Sequence, residues 1–372
     1  MRGPLTYLLG THPCASETFI QREIDALRRR GWRLAVASLQ GASALPPARA
    51  AAPGIAAALR HILPLLCRRP QAAWHVLHHL PQGAALEHQV RASGARAIHA
   101  QFAWIPADIA QLAALRAGVP FTCSVHAWDV FAQPPTAIRH RLARAAAVCA
   151  CTQAATHAVR MAGIDGARIH LVRHGLPLAE YPFTASRSDG RILAVGRLEP
   201  KKGFDLLVAA CARLRVPFTC RIIGAGPQRR RLARLIAAAG LEGRVTLTGA
   251  ASPDDVRAAM REASVLALPS RRLASGDRDG MANVLTEAMA LGTPVVTTTA
   301  GAAGEILQES VNGRLVAPED PNALADAIGA LLGDATARAR LAAAARATVE
   351  QEFDETITIS RLEEVFERVL AP

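Results

Sequence analysis

Short apolar runs rich in β-branched residues alternate with longer runs of helical periodicity along this chain of 372 residues. This alternation predicts parallel sheets covered by helices on both faces, because a crossover between parallel strands usually contains a helix. Strands are predicted at residues 5–9, 33–39, 95–99, 121–126, 147–151, 169–172, 192–195, 218–223, 245–247, 265–268 and 295–297. Helices are predicted at residues 18–30, 72–92, 106–117, 136–144, 153–161 and 357–370.

The alternation breaks at residues 182–190, where Pro, Ser, Asp and Gly precede a fresh strand. The chain is also long for a single core. We therefore expect the α/β class, with two doubly wound Rossmann-like domains at 1–183 and 191–354, a linker at 184–190 and a cleft between the domains. Ligands of such sheets bind outside the carboxyl ends of the strands.

Composition narrows the choice of partners. The net charge of +12 suits nucleic acid, an anionic membrane surface or a phosphorylated substrate, but an aromatic content of 4% leaves little for base stacking. We therefore expect no nucleic-acid partner. The seven cysteines lack the spacing of zinc ligands, and no apolar run approaches the ~20 residues of a membrane span. The expectation is a cytoplasmic protein without a resident metal.

Two carboxylates, Asp279 and Glu287, flank the predicted start of a helix, with Gly280 in the turn before it. A helix start offers unpaired N–H groups and positive potential, which suit a phosphate or a polar sugar. Two carboxylates at this spacing can accept hydrogen bonds from two sets of hydroxyls. A nucleotide sugar has sugar hydroxyls at one end, ribose hydroxyls at the other and a diphosphate between them.

Polar residues follow other predicted strands as well. Arg197 and Lys202 follow strand 192–195, where a guanidinium fork and a mobile ammonium can grip a phosphate. Gly224 and Gly226 follow strand 218–223 without the third glycine of a dinucleotide fingerprint. They indicate either a close backbone approach to a base or ribose, or a plain turn. His126 follows strand 121–125 and can reach a cleft as a hydrogen-bond donor.

The loop after the first strand contains Ser16, Glu17 and Thr18, on the acceptor side of the expected cleft. Ser16 or Thr18 is predicted to cap the following helix. The segment 44–79 mixes arginines with Ile and Leu, a composition that suits an anionic membrane. An ordinary amphipathic helix pair over the sheet explains that segment equally well.

These motifs together resemble the retaining, metal-independent group-1 (family 4) glycosyltransferases of the GT-B fold. The resemblance rests on residues 194–204, 223–227, 279–296 and 312–316, and the opening residues 16–24 are similar to a subset that builds exopolysaccharides of the colanic-acid type. Asp279 stands where glutamate is commonest in the family, which bears on the choice of donor. In the family a C-terminal helix, here 355–370, returns to the first domain.

The resemblance implies a role for each matching position. Arg197 and Lys202 would hold the diphosphate, His126 would bond the donor sugar near the reacting carbon, and Asp279 would contact that sugar. The other implied donor contacts are Gly280, Met281, Ala282, Asn283, Val284 and Glu287, with Glu287 on the ribose. Together with Gly224 and Gly226 they form the expected donor site.

The implied activity is transfer of a sugar, with retention, from a nucleoside-diphosphate sugar to a glycan or lipid-linked acceptor in polysaccharide biosynthesis. No cofactor is expected, since the nucleotide sugar is a co-substrate, and the place of action would be the cytoplasm or the inner face of the cell membrane. One alternative is a nucleotide-sugar epimerase or hydrolase of the same fold. Another is a basic lipid- or nucleic-acid-binding scaffold, which would have no need for Asp279 and Glu287 together.

Overall fold

A computed structural model describes residues 2–14, 17–45, 70–184 and 190–371, without the side chains of residues 2 and 70–78. The chain divides into two compact units. The first comprises Met1–Arg173 with Thr358–Pro372, and the second comprises His174–Ile357. Most of the segment 44–79 lies outside the described residues.

The first unit contains a parallel sheet of six strands in the order β2-β1-β3-β4-β5-β6. The strands are β1 (Arg2–His12), β2 (Trp32–Gly41), β3 (Ala97–Gln101), β4 (Phe121–Val125), β5 (Ala147–Ala150) and β6 (Ile169–Leu171). From β1 the chain passes to β2 on one side of it and then to β3 on its other side. The strand order therefore reverses between β1 and β3. Ligands of doubly wound sheets bind at the carboxyl ends of the strands at such a point.

Helices accompany this sheet, and several of them bury apolar side chains in the core of the unit. They are α1 (Thr18–Arg29), α2 (Pro70–Ser93), α3 (Ile105–Ala117), α4 (Ala127–Phe131), α5 (Pro135–Leu142) and α6 (Gln153–Met161). In α1, Ile20, Ile24 and Leu27 are buried at the spacing of one helix face. Helix α3 ends at Gly118, which adopts the left-handed conformation that terminates many helices.

The second unit contains another parallel sheet of six strands, in the order β12-β11-β10-β7-β8-β9. The strands are β7 (Arg191–Val195), β8 (Thr219–Ile223), β9 (Val245–Gly249), β10 (Val265–Leu268), β11 (Val295–Thr298) and β12 (Arg314–Val316). All four residues of β10 are buried, as expected for a central strand covered on both faces. Here the strand order reverses between β7 and β10.

The remaining helices are α7 (Phe204–Cys211), α8 (Arg229–Ala238), α9 (Pro253–Glu262), α10 (Asn283–Leu291), α11 (Pro321–Gly333), α12 (Ala335–Glu352) and α13 (Glu355–Leu370). Several begin at side-chain caps: Ser252 accepts from the backbone of Asp255 at α9, and Asp334 accepts from that of Ala337 at α12. Among the described residues, no helix combines the length and apolar character that crossing a bilayer requires.

Helix α13 contributes Thr358 and the residues after it to the first unit. Leu362 and Phe366 are buried there, and the Phe366 ring meets the rings of Tyr7 and Trp32 edge-on at 6.3 and 5.6 Å. Glu363 accepts hydrogen bonds from Trp32 Nε1 at 2.9 Å and from Arg30 Nη1 at 2.7 Å. A chain-terminal element therefore completes the core of the first unit.

The two six-stranded parallel sheets confirm the predicted α/β class and its two doubly wound parts. The second unit begins at His174, before the expected linker 184–190, of which 185–189 lie outside the described residues. Hydrogen bonds explain this early start. Leu176 N donates to Phe353 O at 2.8 Å, and Arg346 Nη1 donates to Tyr181 O at 2.6 Å, so this stretch belongs with α12.

Candidate functional site

The second unit joins a lysine and an aspartate that are distant in sequence. Lys202 Nζ donates to Asp279 Oδ1 at 2.8 Å, and Ser270 Oγ donates to Asp279 Oδ2 at 2.6 Å. Lys202 lies in the loop after β7, and Ser270 lies directly beyond β10. These two strands flank the reversal of strand order, so the three side chains meet where doubly wound sheets bind ligands. We call Lys202, Ser270 and Asp279 the carboxylate cluster.

The carboxylate cluster keeps Asp279 ionised although its side chain is only 10% exposed. Burial by itself raises the pKa of this carboxyl. The Lys202 charge, the hydrogen bonds from Lys202 and Ser270, and the nearby Lys201 charge together outweigh burial and hold the pKa below its ordinary value. Asp279 therefore remains an acceptor, able to receive hydrogen bonds from ligand hydroxyls.

A second layer of ion pairs fixes the loop between β10 and α10. Lys201 Nζ binds Asp277 Oδ1 at 3.1 Å, and Arg271 N donates to Lys201 O at 2.8 Å. The Arg271 guanidinium binds Asp205 at 2.9 Å and Glu319 at 3.0 Å. These pairs tie the loop that bears Asp279 to the loop that bears Lys202.

Glycine is required where these loops touch. A Cβ at Gly203, whose φ is +66°, would lie 1.9 Å from Pro269 O, and a Cβ at Gly224 would lie 1.9 Å from Gly196 O. Gly226 likewise packs against the backbone of Leu198. The close approach that the glycine loop predicted is therefore made to the chain's own backbone, and its contact with a base or ribose stays a prediction.

Arg197 shares its loop with Lys202 but is more exposed. Its guanidinium pairs with Glu199 Oε1 at 2.8 Å, and its side chain is 57% exposed. The structure thus places both predicted phosphate-binding cations after β7, with Lys202 in the carboxylate cluster and Arg197 at the surface. Their role toward a diphosphate stays a prediction.

The predicted donor residues around α10 divide between loop, helix and core. Gly280 and Ala282 precede the helix, which begins at Asn283, and Glu287 lies on it, partly buried. Met281 and Val284 pack into or against the core of the second unit, so what they can offer a ligand is backbone. Asn283 Oδ1 lies 3.0 Å from Nδ1 of His174, a residue that the sequence analysis did not single out.

In the first unit, a hydrogen-bonded chain connects Glu23 on α1 with His126. Tyr7 Oη and Gln101 Nε2 donate to Glu23 Oε1 at 3.2 and 2.8 Å, and Gln101 Oε1 lies 3.0 Å from His126 Nε2. An amide oxygen only accepts, so His126 Nε2 carries the proton and donates it to Gln101. His126 is thus a hydrogen-bond donor, as predicted, but in this structure its Nε2–H bonds Gln101 of the same unit.

Two buried acids, Glu23 within this chain and Asp129 beside it, have raised pKa values. Asp129 Oδ2 accepts from the backbone N–H groups of Ala103 and His126, each at 2.9 Å, and Asp129 Oδ1 is buried without a hydrogen-bond partner among the described residues. Burial raises the pKa of Asp129 to about 7, although both backbone bonds and Arg141 act in the opposite direction. Burial also raises the pKa of Glu23 to about 7, against the bonds from Tyr7 and Gln101.

The structure describes two of the three predicted acceptor-side residues, Glu17 and Thr18. Ser16 lies outside the described residues. The expectation that Thr18 caps the first helix is wrong, because Thr18 is the first residue of α1 and Glu17 occupies the cap position without a side-chain cap bond. The Thr18 hydroxyl instead accepts from Arg22 Nη2 at 3.3 Å, one turn along the helix.

The sequence analysis missed Ser270, Lys201 and Gln101. Ser270 and Gln101 stand at the carboxyl ends of predicted strands, the same signal that identified His126 and Arg197, so a systematic reading of every strand end would have found them. That Ser270 bonds Asp279 and that Gln101 bonds His126 depends on strand order, which the local sequence pattern does not reveal.

Comparison with known proteins identifies both units. Residues 16–180 match the family profile described as "Glycosyltransferase Family 4", and residues 189–334 match "Glycosyl transferases group 1". The D-inositol 3-phosphate glycosyltransferase of Salinispora tropica is 30% identical over 351 residues, covering 82% of this chain and 71% of the relative.

Two relatives are named for exopolysaccharide biosynthesis. WcaL of Escherichia coli, named for colanic acid biosynthesis, is 34% identical over 202 residues, which are 52% of this chain and 50% of WcaL. The amylovoran biosynthesis glycosyltransferase AmsK of Erwinia amylovora is 32% identical over 219 residues, 57% of this chain and 54% of AmsK. The chain thus matches these two over about half of their length.

Solved structures show the same fold. HepE from Anabaena, crystallised with UDP, superposes with a TM-score of 0.77 at 20% identity, covering 99% of this chain and 100% of HepE. Sucrose-phosphate synthase from Thermosynechococcus elongatus gives 0.78 at 20% identity, with 99% of each chain covered. Taken with the family matches, these similarities show that the chain belongs to the group 1, family 4 glycosyltransferases and has their GT-B fold.

Proposed function

We propose that this protein transfers a sugar from a nucleoside-diphosphate sugar to a glycan or lipid-linked saccharide in exopolysaccharide biosynthesis. The observation that carries the proposal is the carboxylate cluster, which joins a cation and an ionised acid at the carboxyl ends of β7 and β10. The names of WcaL and AmsK support the pathway, and the HepE structures with UDP and UDP-glucose support the class of donor.

The chemistry of the donor assigns a task to each charged group. Asp279 accepts from hydroxyls of the transferred sugar, and Glu287 on α10 accepts from the ribose hydroxyls. Lys202 and Arg197, with the N–H groups at the start of α10, stabilise the charge that develops on the departing diphosphate. Two cations and a helix start supply this stabilisation in the proposed reaction without a metal ion.

The reaction proposed is front-face transfer with retention. The bond between the anomeric carbon and the diphosphate oxygen breaks with its electron pair moving to the diphosphate. The acceptor oxygen bonds to the same face of the anomeric carbon, and its proton passes to the departing phosphate oxygen. His126 bonding the donor sugar is also part of the proposal, and it requires that Nε2–H, bonded to Gln101 in this structure, be shared with a sugar hydroxyl.

Lys202→Ala and Arg197→Ala test the assignment of the phosphate-binding cations. Each is expected to lower kcat by roughly a hundredfold, the order found when one preorganised charge-stabilising group is removed. The matched control is Arg215→Ala, which removes an exposed arginine before β8, at the opposite edge of the sheet. Near-normal turnover in both site variants would overturn the assignment.

A thermal-shift screen with UDP, GDP and ADP sugars identifies the donor first, since a ligand that binds only the folded state raises Tm. NMR of the product's anomeric proton then tests retention, and assay with a chelator tests independence from metal. Release of free sugar without an acceptor would favour the hydrolase alternative. Absence of any nucleotide-sugar binding would favour the non-enzymatic scaffold.

A further inference from the structure

Two tryptophans form a water-facing aromatic surface in the first unit. Trp104 follows β3 and Trp128 follows β4, and their ring centroids lie 5.7 Å apart with the planes at 73°. Trp128 is 43% exposed, and Trp104 is partly buried. We call Trp104 and Trp128 the tryptophan platform. Aromatic residues make up only 4% of this chain, so two adjacent tryptophans at one sheet edge need an explanation.

A second cluster of rings surrounds His126 on the same loops. The His126 ring lies 4.4 Å from the Phe102 ring and 5.2 Å from the Phe19 ring, both centroid to centroid. His126 and Trp128 both lie just past β4, and Phe102 and Trp104 just past β3. The platform therefore lies on the same two loops, after β3 and β4, as the ring cluster of His126, the histidine to which the proposed function gives a role toward the donor sugar.

The loop that carries Trp104 is held in an unusual backbone conformation. Phe102 has a φ of +77°, which a residue with a large side chain rarely adopts. Hydrogen bonds on both sides hold the loop there: Phe102 N donates to Ser124 O and Ala103 N donates to Asp129 Oδ2, each at 2.9 Å. Strained residues that survive because their surroundings determine them are concentrated at functional sites.

Single exposed apolar side chains elsewhere in the first unit offer a contrast. Met161 is 69% exposed and Leu115 is 43% exposed, and each lies on a helix away from the carboxyl edge of the sheet. Scattered exposure of this kind is ordinary on protein surfaces. The pair of tryptophans is different, because it lies on two loops that Asp129 joins by hydrogen bonds and that also carry His126.

The charges near the tryptophan platform distinguish between an anionic lipid surface and a neutral saccharide as its ligand. Besides His126, the contacts of the two loops that carry the tryptophan platform involve the ionisable groups Glu17, Asp108, Asp129 and Arg141, and Arg141 Nε pairs with Asp108 Oδ2 at 3.3 Å. Three acids against one arginine do not favour an anionic lipid surface. A neutral saccharide fits, since the C–H face of a pyranose stacks on an indole ring while its hydroxyls reach polar groups at the ring edges.

We propose that Trp104 and Trp128 form the binding subsite for the acceptor saccharide. The proposal rests on the proposed function for its acceptor role, but saccharide binding by the platform can be measured without any donor. It places the acceptor at the ends of β3 and β4, in addition to the opening loop that carries Glu17 and Thr18.

Saturation-transfer difference NMR with lactose and cellobiose as probes tests the subsite. The wild-type protein is expected to transfer saturation to the C–H protons of at least one probe. Trp128→Ala is expected to weaken its binding at least roughly tenfold, the size expected from loss of one stacked ring. Trp128→Phe keeps a stacking ring and should restore most of the affinity. Met161→Ala, which removes another exposed apolar side chain, is the matched control and should change nothing.

The outcomes separate this proposal from the proposed function. Equal saccharide affinity in the wild type and Trp128→Ala, or no signal from either probe with the wild type, overturns the subsite. Either result leaves nucleotide-sugar binding, measured by thermal shift, as a separate test of the enzyme. If Trp128→Ala instead lost binding to vesicles of equimolar phosphatidylglycerol and phosphatidylethanolamine while keeping its saccharide affinity, the platform would be a membrane contact and the proposal would be wrong.

Discussion

At the scale of single residues, the first unit buries ionisable groups whose protonation depends on the fold. Asp129 is 1% exposed, and burial raises its pKa from 3.8 to about 7. His99 is fully buried between Thr122 and Ser124, and burial lowers its pKa to about 3. The two shifts change stability in opposite directions. Folded Asp129 keeps a proton that the unfolded chain has lost, so its contribution to stability falls as pH rises. Folded His99 lacks a proton that the unfolded chain binds, so its contribution rises with pH.

Asp129→Asn tests the consequence for Asp129. Between about pH 4 and pH 7 the folded wild type holds a proton that the unfolded chain releases, so its Asp129 contribution to stability falls as pH rises through this window and is constant above it. The amide can still accept both backbone bonds but does not titrate. From pH 5 to pH 8 the wild type should therefore lose about 3 kcal/mol more unfolding free energy than Asp129→Asn.

Urea denaturation at the two pH values measures this difference. His99 and Glu23 titrate in both proteins, so their contributions cancel in the comparison. Asp165→Asn, at an exposed aspartate of the same unit, serves as the control and should keep the wild-type difference. An unchanged difference in Asp129→Asn would show that Asp129 is ionised in the folded state throughout this range.

The sequence could predict where reactive side chains lie but not which ones meet. Arg197, Lys202, His126 and Asp279 were found because each follows a strand or precedes a helix, and this is local information. That Ser270 binds Asp279, and that Gln101 occupies His126 Nε2, follows from the order of strands in the sheets. Neighbours across a sheet edge are far apart in the chain, so no local pattern encodes them.

At the scale of elements, α13 is tied to the first unit by one buried acid. Glu363 is 4% exposed and accepts from Trp32 Nε1 and from Arg30 Nη1. Around it, Leu362 and Phe366 pack in the same core as Ile24 and Leu27 of α1. The apolar face positions α13 on α1 and the sheet, and Glu363 fixes the helix along its axis.

Glu363→Ala is expected to destabilise the first unit by about 3 kcal/mol. The substitution leaves the Trp32 indole N–H without its acceptor and removes a largely buried ion pair. Glu364→Ala is a matched control, because Glu364 is the next residue on the same helix and is exposed. Hydrogen exchange measures this destabilisation as faster exchange of the α1 and α13 amides. Equal protection in both variants would contradict the role given to Glu363.

Most element positions were predictable because periodicity is a property of each segment alone. Predicted strands 121–126 and 265–268 correspond to β4 and β10, and predicted helix 153–161 corresponds to α6. The short strand β12 was missed because only two of its three residues are apolar, whereas the equally short β6 lies in the longer predicted run 169–172. Its identity as a strand depends on pairing with β11.

At the scale of the whole molecule, the net charge of +12 predicts attraction to anionic membranes. The segment predicted to contact them is 44–79, most of which lies outside the described residues. We expect flotation with phosphatidylglycerol vesicles at low salt and release near 1 M salt, where screening shortens electrostatic range to about 3 Å. Phosphatidylcholine vesicles should not bind.

Two double substitutions of arginine by glutamate test which part of the chain is attracted to anionic vesicles. Arg68→Glu with Arg69→Glu should weaken vesicle binding severalfold more than Arg28→Glu with Arg29→Glu, which changes the same net charge on α1. If both pairs weaken binding equally, the attraction comes from overall charge and segment 44–79 has no special part in it. Binding that is insensitive to salt would instead indicate an apolar contact.

The sequence by itself determined the α/β class, the two doubly wound units, the loops after strands that carry Lys202 and His126, and the helix start that Asp279 precedes. It could do so because strand and helix periodicity and turn chemistry are written in neighbouring residues. Only the tertiary structure decided that Asp279 is held by Lys202 and Ser270, that the second unit starts at His174, and that two tryptophans from different loops meet. These features depend on strand order and packing, which bring together residues that the chain keeps apart.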